Sequence, residues 1–112
     1  MKYFISESHR KQIGGSCYFE FQKGQKEKND ELTFWKEDSM LLHMDIADEI
    51  ALYRIVPNMN YYGDTLIDKE KWCVIQNNAQ NEGGKAMEVI NELRSWAEDN
   101  FKESDYFLIL GI

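Results

Sequence analysis

The sequence predicts an α+β domain: two layers, an antiparallel or mixed sheet of four to five strands, a long helix from the second half of the chain packed on one face, and the last strand inside the sheet. Three observations carry that prediction. In residues 16–22, Cys17, Phe19 and Phe21 share one face while Glu20 and Gln22 share the other, the period-two alternation of a half-buried strand. Between residues 85 and 101, Ala86, Val89, Ile90, Leu93, Trp96, Ala97 and Phe101 form a continuous apolar stripe at helical spacing, with Glu88, Glu92, Arg94, Glu98 and Asp99 mostly opposite. Residues 106–110 are apolar without interruption, as a strand covered on both faces would be.

The first forty-odd residues read as strands. Gly14-Gly15-Ser16 is a turn, since neither GxxxxGK[ST] nor GxGxxG follows and a strand comes next. Residues 23–30 are polar enough for a hairpin connection, 32–35 make the return strand, and 40–44 a third strand. Asp45 is placed to cap a helix over 46–56 stopped by Pro57; the alternative is a strand over 50–56. Asp68 caps a helix over 69–81, where Trp72, Ile75 and Ala79 recur at helical spacing, and Gly83-Gly84 breaks it before the long helix begins.

With 112 residues, no repeat and no linker, residues 1–112 form a single domain. Hydrophobic residues at 43% and charged ones at 29% predict unaided folding. The sequence shows neither a signal-peptide run nor an apolar stretch of membrane length, so a cytoplasmic protein without membrane contact is expected. Cys17 and Cys73 stand far apart without a CxxC, which predicts two free thiols. The net charge of -7 is uneven: residues 1–36 hold seven basic and five acidic residues, residues 37–112 six basic and fifteen acidic. Such a field repels nucleic acid and favours encounter with a basic partner, while also serving solubility.

Little in the sequence suggests catalysis. His9, His43, Cys17 and Cys73 are scattered singly, so neither metal nor cofactor is expected. Cys17 and His43 could meet on neighbouring strands as nucleophile and base, but the plainer reading is two residues packed in or near a sheet. Carboxylate pairs such as Asp45 with Asp48, or Glu98 with Asp99, read as solvated helix faces. Lys23, Lys26 and Lys28 are diluted by Glu27 and Asp30, and direct nucleic-acid binding is not expected. What remains is a run of five acids, Glu37, Asp38, Asp45, Asp48 and Glu49, followed by a loop bearing Tyr61 and Tyr62. Tyrosine anchors ringed by carboxylates suit a protein interface, and the partner-binding candidates are Asp38, Asp45, Asp48, Glu49, Tyr61 and Tyr62. The plainer reading has Tyr61 or Tyr62, like Trp35, packing over the edge of the core.

The segment 61–75, with Tyr61-Tyr62-Gly63-Asp64-Thr65-Leu66-Ile67-Asp68 running into Lys69-Glu70-Lys71-Trp72-Cys73-Val74-Ile75, is followed by Gly83-Gly84, a helix containing Trp96 and the ending Phe107-Leu108-Ile109-Leu110-Gly111-Ile112. Together these resemble small bacterial immunity proteins of polymorphic and contact-dependent growth inhibition toxin systems. The resemblance spans roughly residues 61–112 and implies a non-enzymatic protein, monomer or weak dimer, that binds a cognate toxin domain and keeps it inactive. Many such toxins are nucleases with cationic active sites, which an acidic protein complements. The family varies its interface with each toxin, so no interface residue carries over; Trp72, Ile75, Trp96 and the terminal strand belong to the core. Two other functions stay open: an acidic adaptor or phage-type inhibitor, acting as a nucleic-acid mimic, and an enzyme whose site the sequence hides.

Overall fold

The computed structural model describes residues 1–24 and 34–111. In chain order the elements are β1 (Phe4–Ser6), α1 (Glu7–Ile13), β2 (Tyr18–Lys23), β3 (Met40–His43), α2 (Met44–Glu49), α3 (Leu52–Ile55), β4 (Asp64–Asp68), α4 (Lys69–Glu82), α5 (Gly84–Glu103) and β5 (Tyr106–Leu110). The five strands make one sheet in the order β1-β3-β2-β5-β4, every neighbouring pair antiparallel. The fold is therefore α+β, with the long helix on one face and the last strand inside the sheet, between β2 and β4.

Register decides which side chains meet. Phe19 opposes Leu42, Phe21 opposes both Met40 and Ile109, and Ile67 opposes Phe107, so these side chains share one face. They are buried there with Phe4 and with Trp72, Ile75, Val89, Ile90, Leu93 and Ala97 from α4 and α5. Phe107 is the centre of this core: the rings of Phe21, Trp72, Trp96 and Phe101 surround it at centroid separations of 6.3, 5.9, 5.3 and 5.7 Å. The Asp68 carboxylate caps α4 by accepting from the Lys71 amide at 2.8 Å, as its position predicts. Gly83 and Gly84, at φ 67° and 54°, turn the chain from α4 into α5 through left-handed backbone that a side chain would resist.

Several expectations are corrected. A helix, α1, interrupts the N-terminal strands; it is seven residues long, and Ser6 caps it through the His9 amide. Phe34 and Trp35 lie in bends rather than in a return strand, a role taken by β3, while the rest of that expected strand and most of the hairpin connection fall outside the described residues. Met44 opens α2 instead of ending β3, and the cap is His43, whose imidazole accepts from the Asp45 amide at 3.0 Å. The segment 46–56 is helical, but Ala51 at φ 52° divides it into α2 and α3. The segment 64–68, not anticipated as a strand, is β4, an edge with Thr65 and Ile67 buried between exposed Asp64, Leu66 and Asp68. Cys17 precedes β2 and is exposed, as is Cys73. Trp96 is half-buried: its ring packs on Phe107 while its indole N–H donates to the Asp38 carbonyl at 2.9 Å.

Because Phe107 is fully buried among four rings and Trp96 only partly, Phe107→Ala is expected to cost about 4 kcal/mol and Trp96→Ala about 3 kcal/mol or less. Urea denaturation of the two variants checks the size and the order.

An acidic, tyrosine-bearing end of the sheet and an aromatic cleft beside it

The strand directions bring distant residues to one end of the sheet. His43 ends β3, Tyr18 opens β2 opposite it, Leu110 ends β5, and Asp64 opens β4 opposite Leu110. From that end α2 departs, and the loop 56–63 returns. The loop is fastened by the Gly111 amide donating to the Gly63 carbonyl at 2.7 Å, and Gly111 packs so closely under the Tyr61 carbonyl that a side chain would collide with it. Asp45, Asp48 and Asp64 are exposed here, together with Tyr53 and, at 88%, Tyr62. The His43 ring stands edge-on to Tyr18 at 5.2 Å.

Tyr61 takes a different role from Tyr62. Its ring packs edge-on against core Phe19 at 5.2 Å, and its hydroxyl is buried with no well-formed hydrogen bond among the described residues, the Tyr53 backbone being its nearest polar neighbour. Burial pushes its pKa upward, with the Asp48 charge acting in the same direction and the adjacent Tyr53 backbone opposing. Of the six predicted partner-binding residues, four thus converge: Asp45, Asp48, Tyr61 and Tyr62, with Tyr61 mostly a packing residue. The other two do not join them. Asp38 is exposed but precedes β3, at the opposite end of the sheet, and Glu49 pairs with Lys85 of α5, so its charge is compensated.

The second face of β2, expected to be a solvated polar face, is covered. Glu20 is 1% exposed and Gln22 is 2% exposed. Glu20 Oε1 accepts from the Trp35 amide at 2.7 Å, and its Oε2 accepts from the Lys36 amide at 2.9 Å, the Ser39 hydroxyl at 2.6 Å and the Gln22 amide at 3.0 Å. These bonds draw 35–39 across the far face of the sheet, where fully buried Leu41 also lies. Trp35 is held at φ 66°, a left-handed backbone that costs a bulky residue about 1–2 kcal/mol. The Arg10 guanidinium of α1 stacks on its indole at 4.0 Å while holding buried Glu7 through two bonds of 2.6 and 2.7 Å. Between this cap and the sheet lies a cleft of about 260 Å³, lined by Ser16, Tyr18, Glu20, Phe34, Trp35, Leu110 and Gly111.

Sequence reasoning missed this cleft because its floor, Glu20, reads as an exposed position, and its wall belongs to a segment expected to be a strand. Among the described residues, no three His, Cys, Asp or Glu side chains gather as a metal site, and no helix is long and apolar enough to cross a membrane. Set against protein-family models, curated proteins and solved structures, the chain has no match.

Two outcomes are expected from the buried polar groups. Glu20→Gln weakens the charge-assisted bonds and leaves Oε2's former donors poorly matched, lowering stability by about 2 kcal/mol and speeding hydrogen exchange at the Trp35 and Lys36 amides. The titration of Tyr61 bears on stability only at alkaline pH. Below its ordinary value of 10.0 the hydroxyl is protonated in folded and unfolded chains alike; above it the unfolded chain ionises first, and stability falls until the raised folded value is passed. Tyr61→Phe is expected to remove that alkaline loss and, at neutral pH, to equal the parent or exceed it by up to about 1 kcal/mol in urea denaturation.

Proposed function

We propose that this protein works by binding and blocking a basic protein partner, in the manner of a toxin-neutralising immunity protein, and that it approaches the partner with the α2 and 58–64 end of its sheet. The observation that carries the reading is the convergence there of exposed Asp45, Asp48 and Asp64 with exposed Tyr53 and Tyr62. Tyrosine rings supply contact area at low entropic cost, and surrounding carboxylates steer a cationic surface into register. Arg54 beside Tyr53 is the cation that offsets this charge in part, its guanidinium 6.0 Å from the ring. A cationic nuclease-type toxin domain is the partner class that the charge and the resemblance favour together.

The test is a pull-down of tagged protein from its native cells at low salt, eluted at high salt and identified by mass spectrometry. One basic protein recovered in about equal amount supports the reading; none, from cells that express the tagged protein, defeats it. With the partner in hand, Asp48→Lys is expected to change stability by less than about 0.5 kcal/mol yet slow association roughly tenfold at low salt. Tyr62→Ala should weaken binding by about 1–2 kcal/mol. If both variants bind like the parent, this end of the sheet is not the interface.

A further inference from the structure

We infer that the cleft on the far face of the sheet is a receptor for a cationic side chain, an arginine or lysine presented by the partner. The inference rests on the proposed function for the identity of that partner, but not for the chemistry of the cleft. Three aromatic residues, Tyr18, Phe34 and Trp35, line a cavity of about 260 Å³ with a carboxylate, Glu20, among them. A cation gains from the negative faces of such rings and from a nearby anion, and the gain grows as water is excluded.

The charge around the cleft favours a cation. Arg10 is engaged twice by the Glu7 carboxylate, and Glu20 forms no ion pair among the described residues. Among the described residues that line the cleft, Glu20 is the charged side chain, and its charge is negative. Among the described residues the Glu20 oxygens are unequally used: Oε2 takes three donors and Oε1 takes the Trp35 amide. Arg10, which is not among the lining residues, itself illustrates the preference, since its guanidinium already rests 4.0 Å from the Trp35 ring.

The walls are also built in advance. Trp35 keeps a strained left-handed backbone because the Glu20 carboxylate holds its amide, so the residue that forms the floor also positions the ring. Phe34 is left 55% exposed beside the opening, its ring 6.4 Å from that of Trp35 and, among the described residues, outside the core cluster. Tyr18 joins the cleft to the acidic end of the sheet through His43, so one partner surface could meet both.

The probe is N-acetyl-arginine amide, with the neutral isostere N-acetyl-citrulline amide as control, titrated into the full chain while the three Trp indole N–H signals are followed by NMR. The expected result is a saturable shift of the Trp35 signal with the arginine probe alone. Phe34→Ala, at an exposed position, is expected to weaken it about fivefold. Trp35→Gly, which suits the left-handed backbone, is expected to abolish binding of the probe, read from the Tyr18 and Leu110 amides. No shift, or an equal shift with citrulline, overturns the inference even if a basic partner is recovered from cells. A charge-selective shift upholds the cleft even if no basic partner is found, in which case it is the proposed function that fails.

Discussion

The Glu20 carboxylate governs everything on the far side of this sheet. A strand residue between two core phenylalanines would ordinarily point to water; here four donors enclose it, two of them successive backbone amides of the segment leading into β3. Burying a carboxylate is costly unless its lone pairs are met, and meeting them is what lays 35–39 across the sheet. From that single arrangement follow the twisted backbone of Trp35, the seat for Arg10, the placement of the Asp38 carbonyl before the Trp96 indole, and the cleft itself. The same device recurs at the N-terminus, where Glu92 of α5 accepts from the amides of Lys2, Tyr3 and Phe4 and holds β1 to the long helix. With Glu7, which holds Arg10, three carboxylates thus act as internal fasteners in a chain whose other described acids are exposed.

This division sharpens the meaning of the net charge. Composition treats all twenty acidic residues alike, whereas the structure separates those that hold the fold, Glu7, Glu20 and Glu92, from those that face outward at the end of the sheet. The second group is among the exposed acids that a partner can reach. The proposed interface differs from the sequence patch for that reason: Glu49 is occupied by Lys85 and Asp38 lies a strand's length away, while Asp64 and Tyr53, not among the candidates read from the sequence, join it.

What could be read beforehand follows from the range of the forces involved. The stripe of α5, the uniform apolarity of β5 and the Asp68 cap are local patterns, and each appears in the structure within two residues of its expected bounds. α1 escaped because Glu-Ser-His-Arg-Lys-Gln-Ile offers one apolar residue and no periodicity; it is held by the Glu7–Arg10 pair and by Ser6. β4 escaped because its alternation lasts only five residues and begins and ends with aspartate, a poor strand former. The break at Ala51 has no sequence marker, since glycine or asparagine would be the usual residue there. The burial of Glu20 depends on donors from 15 to 19 residues away, and no periodic rule reaches that far.

The aromatic centre around Phe107 also has a consequence for how such a protein can change over generations. Phe107, Trp72 and Phe101 knit β5 to the two long helices, away from α2 and the 58–64 loop that bear the exposed aspartates and tyrosines. Substitutions at the exposed positions of the latter segments, such as Asp45, Asp48, Tyr62 and Asp64, leave the aromatic knot intact. Selection can therefore rewrite the exposed lettering of the domain one surface residue at a time, with the grammar of its fold unchanged.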